Sequence, residues 1–114
     1  MQHPIGIILT SVDDASTAKT LAHALIEQQL AACVQISAAG TSVYRWAKDN
    51  QESTVQESHE YYLSIKAPLE RRDEIIAWLE RQHPYDTPEI IVLEAQAAKD
   101  YADWVNKATM TPNP

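Results

Sequence analysis

HPYDTPEIIVL, running from His83 to Leu93, decides the fold. Its first residue ends a helix and its last four form a short apolar strand. Pro84 pushes His83 out of the helical region, and Pro88 does the same to Thr87. Between these two locks Tyr85, Asp86 and Thr87 are held with polar atoms outward. Glu89 then opens the strand, expected over 89–94, which is apolar on both faces: Ile90 and Val92 on one, Ile91 and Leu93 on the other.

Upstream of this corner, Pro68 suits the first turn of a helix ending near Gln82. Leu69, Ile75, Ile76 and Leu79 make its apolar face, and Glu70 to Glu74 are solvated. Before it, residues 59–67 (HEYYLSIKA) read as a strand in which Tyr61, Leu63 and Ile65 alternate with Tyr62, Ser64 and Lys66. Residues 31–46 (AACVQISAAGTSVYRW) are also extended. Fully straight, that run reaches roughly 50 Å at about 3.3 Å per residue, longer than a chain of this size covers. It therefore either breaks at Ala38-Ala39-Gly40 or bends there and projects. The polar stretch 47–58 reads as a loop, so the two extended runs form a long hairpin. Its aromatic residues Tyr44, Trp46, Tyr61 and Tyr62 need a second surface to pack on.

At the amino end, residues 4–12 (PIGIILTSV) are apolar on both alternating faces, as in a strand buried on both sides. Ser11, Asp13 and Asp14 offer a helix cap. The helix is expected over 15–30, with Ala18, Leu21, Ala22, Leu25 and Ile26 along one stripe. Downstream, Tyr101, Trp104 and Val105 stand at helical spacing within 95–108, and the tail TMTPNP is expected to fray. The order is strand, helix, strand, strand, helix, strand, then a terminal helix. This is the ferredoxin-like split βαβ pattern, an α+β fold with both long helices on one face of a four-stranded antiparallel sheet. The first and last strands are too apolar for an open second face, so oligomerisation is expected to cover it.

At 114 residues and 45% hydrophobic, a single domain spanning 1–114 is expected. Nine Lys and Arg against sixteen Asp and Glu give a net charge of −7. That balance argues against nucleic acid as a partner. Cys33 is the only cysteine, so an internal disulfide is excluded. No apolar run approaches the ~20 residues of a membrane span. MQHPIGIIL lacks the basic region and cleavage site of a secretion signal. A cytoplasmic protein with no membrane partner is the expectation.

LAACVQI (30–36), TSVYRW (41–46), Ile65-Lys66, HPYDTPEIIVL and YADW (101–104) together resemble the CutA, or divalent-cation-tolerance, family. They occur in the family's order over most of the chain. The resemblance implies a homotrimer of ferredoxin-like subunits whose long hairpins pair across subunits, and association with divalent metals, copper above all. It places the family's proposed site on Cys33, Lys66, His83, Tyr85 and Glu89, with Glu60 at the matching acidic position. Cys33 and His83 are the metal candidates; Lys66, Tyr85, Glu89 and Glu60 are the candidates for holding a ligand. Trp46-Ala47-Lys48-Asp49 stands where the family has Trp-x-Gly-Lys, and Ala67 follows Lys66 where threonine is usual. This marks a divergent member.

Each candidate also has a plainer role. Cys33 as a thiolate suits copper(I) or acts as a nucleophile, but Cys is among the most buried residue types and the packing role is preferred. No Cys or His spacing makes a dedicated metal cage. His83 is a ligand, a base near pH 7, or a ring bonding the last helical carbonyls. Glu89 is a ligand, a base, or the partner of Lys66, which itself binds an anion or sits neutralised on its strand. Three functions follow in order of preference. The first is a trimeric, non-enzymatic divalent-metal protein, with copper(II) as the metal. The second is a trimeric small-molecule sensor similar to nitrogen-regulatory signal proteins. The third is an enzyme using Lys66, His83 and Glu89 on a small anionic substrate.

Overall fold

The computed structural model describes residues 2–110. Its elements are β1 (Pro4–Val12), α1 (Ala15–Glu27), β2 (Cys33–Ile36), β3 (Gly40–Trp46), β4 (Thr54–Ala67), α2 (Arg72–Gln82), β5 (Ile91–Gln96) and α3 (Lys99–Ala108). The main sheet is antiparallel throughout, in the order β2-β4-β1-β5, and β3 pairs with the outer half of β4. That is the expected ferredoxin-like arrangement. β4 is the long element: its inner half crosses the sheet and its outer half carries the β3–β4 ribbon.

The core lies between the sheet and two helices. Ile8 and Val12 of β1 and Leu63, Ile65 and Ala67 of β4 share one sheet face. They pack against Leu21 and Leu25 of α1 and against Ile75, Trp78 and Leu79 of α2. Trp78 is a core residue that the expected apolar stripe of α2 omitted. The second sheet face is partly covered by the chain itself. α3 lays Ala102 and Val105 on Ile5, with Ile7, Ala32 and Ala95 beside them. Among the described residues no helix is long and apolar enough to cross a membrane.

Several boundaries differ from the sequence reading for local reasons. α1 stops at Glu27, short of Leu30. Gln29 turns left-handed (φ 58°), and its N–H and that of Leu30 donate to the Ile26 and Leu25 carbonyls. This closes the helix as a Schellman turn without glycine. Asp14 is the cap that forms, its carboxylate accepting from the Thr17 N–H at 2.8 Å. Pro68 precedes a 3-10 turn, Leu69–Arg71, and α2 proper begins only at Arg72. β4 begins at Thr54, so the connection after β3 is 47–53 rather than 47–58. β5 begins at Ile91, which leaves Glu89 before the strand. Of the tail expected to fray, Thr109 is buried, and its carbonyl accepts from Arg71 Nη2 at 2.8 Å; residues 111–114 lie outside the described residues.

The long run 31–46 breaks, the first of its two expected outcomes. Cys33 pairs with Lys66 and Ile36 with Leu63, but Gly40 pairs with Glu60. Three steps from Ser37 to Gly40 oppose two steps on β4, so one extra residue is inserted, a β-bulge. Ser37 carries the junction: its N–H donates to the Tyr62 carbonyl, and its hydroxyl accepts the Tyr62 N–H, both at 2.9 Å. Gly40 lets the Tyr62 ring lie against the backbone there: a Cβ at that position sits 2.7 Å from the ring, which then has to shift.

Candidate functional site

The bulge decides which way the ribbon faces. A one-residue shift turns every side chain to the opposite face. With the inner register continued, Tyr44 falls opposite Val55 and on the helix side of the sheet. In the shifted register it lies opposite Gln56, and Ser42, Tyr44 and Trp46 share the face that carries Glu60. The corner 83–89 approaches that same face. Together they enclose a groove of about 580 Å³ whose lining includes Ser11, Glu60, Tyr44, Trp46, Tyr85 and Glu89.

His83 ends α2 in an extended conformation (φ −70°, ψ 138°), as Pro84 demands, and its N–H donates to the Leu79 carbonyl at 2.8 Å. His83 is 8% exposed. Nε2 lies 2.8 Å from the Ser11 carbonyl oxygen, which only accepts, so Nε2 carries the proton. Nδ1 accepts the backbone N–H of Tyr85 at 3.1 Å. The two rings meet edge to face, 4.8 Å apart. Tyr85 in turn donates its hydroxyl to Glu60 Oε2 at 3.1 Å. The chain of contacts therefore runs from the Ser11 carbonyl through His83 to Tyr85 and Glu60. Burial lowers the His83 pKa below the usual histidine value, with the Ser11 carbonyl and Glu60 opposing it. Burial, and then the Glu60 carboxylate, pushes the Tyr85 hydroxyl well above the usual tyrosine value, so Tyr85 keeps the proton it donates.

Cys33 and Lys66 form a second group elsewhere. They are cross-strand partners on β2 and β4, both half-buried, and the Lys66 ammonium donates to Gln35 Oε1. Lys66 stands six residues from Glu60 along β4, about 20 Å at 3.3 Å per residue. Tyr101 of α3 lies near Cys33; burial and then the Cys33 sulfur raise its hydroxyl pKa. Thus one chain brings His83, Tyr85 and Glu60 together with Glu89 at the groove's rim, and keeps Cys33 and Lys66 apart from them. Glu89 makes no ion pair with Lys66, and Lys66, His83 and Glu89 do not converge on one substrate.

The His83 and Cys33 donors of one chain do not by themselves fit a metal. Both ring nitrogens of His83 are committed, and Cys33 faces a lysine, whose charge repels a cation. Among the described residues no group of three or more His, Cys, Asp or Glu is placed to hold one metal ion. Ser11, Asp13, Tyr44, Trp46 and Asp86 also border the groove and were not singled out as site residues. Tyr44 and Trp46 were legible as an aromatic pair two residues apart. Their facing was not, because it depends on the bulge.

Comparison with known proteins agrees with this architecture. Residues 6–108 match the family described as "CutA1 divalent ion tolerance protein". The divalent-cation tolerance protein CutA of Pectobacterium atrosepticum is 35% identical over 101 residues, covering 88% of this chain and 87% of that one. The CutA structure from Synechococcus elongatus PCC7942 superposes with a TM-score of 0.86 at 34% identity, covering 96% of this chain and 93% of that chain. The divalent ion tolerance protein CutA1 of Ehrlichia chaffeensis gives the same TM-score at 28% identity, covering 94% and 96%. The chain belongs to the CutA1 divalent ion tolerance family.

Proposed function

We propose that the protein acts in divalent-cation tolerance or response as a non-enzymatic homotrimer in the cytoplasm, binding divalent metal, with copper(II) the metal. The observation that carries this reading is the apolar strip left on the second sheet face. Ile91 and Leu93 of β5 are each 46% exposed, with Tyr62, Tyr101 and Trp104 also exposed on that side. α3 covers only the end of the face near Ile5. An apolar sheet face of this kind calls for a partner, and copies of the same chain in closed symmetry supply one. Because no group of three or more His, Cys, Asp or Glu among the described residues is placed to hold one ion, a bound cation uses groups from more than one copy.

Light scattering tests the assembly: the expected mass is three times the 12.8 kDa of the chain, and a mass of one chain removes it. Calorimetric titration with copper(II) and zinc(II), on wild type and on Cys33→Ala and His83→Ala, tests the metal. Weakened copper binding in Cys33→Ala is expected, with less change in His83→Ala, whose ring nitrogens are already bonded within the chain; unchanged binding in both removes these residues as the site. Fractionation against cytoplasmic and periplasmic markers tests the location. A small-molecule-sensing role is the second reading, and the groove beneath Tyr44 and Trp46 is what favours it.

A further inference from the structure

We draw no further inference here: the strongest candidate, the groove between the β3–β4 ribbon and the corner 83–89, lined by Glu60, Glu89, Tyr44 and Trp46, lies on the sheet face that the proposed assembly covers, and nothing in the structure points to what fills it.

Discussion

Thr10 sits in the middle of β1, 1% exposed, and its hydroxyl has no hydrogen-bond partner among the described residues. A buried hydroxyl without a partner costs free energy that an isosteric methyl does not. Thr10→Val is therefore expected to raise stability by about 1 kcal/mol, read as an upward shift of the thermal midpoint of roughly 4 °C. His83 makes stability depend on pH. Its pKa is lowered in the folded chain, so the unfolded chain binds the proton more readily. Stability is full above the ordinary histidine pKa of about 6.5 and falls as pH drops from there through the lower folded value. Protonation at Nδ1 also removes the acceptor for the Tyr85 N–H. Thermal melts at stepped pH are expected to show this acid-side loss in wild type and a smaller one in His83→Asn. Equal slopes in the two proteins count against it. The sequence marked His83 as a residue of consequence; that both its nitrogens are occupied follows only from the Ser11 carbonyl, 72 positions away.

At the scale of elements, the β3–β4 ribbon is organised by its two ends. At the inner end the bulge at Ser37–Gly40 turns Tyr44 and Trp46 toward Glu60. At the outer end Asp49 (φ 44°) and Asn50 (φ 59°) are both left-handed, and the Gln51 N–H donates to the Lys48 carbonyl at 3.2 Å. Two left-handed central residues are what a type I′ turn requires, and Asp-Gly is a favoured pair for it. Asn50→Gly is expected to stabilise the ribbon by about 0.5 kcal/mol, seen as slower amide exchange at Arg45 and Val55 than in wild type. Faster exchange there contradicts the turn assignment. The polar run 47–58 concealed half of this ribbon, because strand residues exposed on both faces need no apolar alternation. Thr54, Gln56 and Ser58 are strand residues by pairing with Trp46, Tyr44 and Ser42, not by composition.

At the scale of the whole molecule, the second sheet face is where the chain is incomplete by itself. α3 buries Ile5 and leaves Ile91 and Leu93 open. Leu93→Glu is expected to change the stability of an isolated chain by less than about 0.5 kcal/mol, while converting the proposed trimer to single chains by light scattering. A trimer that survives the substitution places the interface elsewhere. The sequence by itself determined the order of elements, because apolar periodicity of two or near 3.6 is local and survives without neighbours. It also determined the corner, because proline acts on the residue beside it: His83 leaves the helix where Pro84 dictates. Alternation along one strand is again local, and it puts Lys66 on the face opposite Ile65, where the pairing Cys33–Lys66 and Val34–Ile65 has it. Only the tertiary structure decided that Cys33 and Lys66 stand far from His83, Tyr85 and Glu60. It alone set the one-residue bulge, the placement of α3 and the acidic groove. These depend on which strand meets which, and in what register, and that is fixed by contacts between residues distant in sequence.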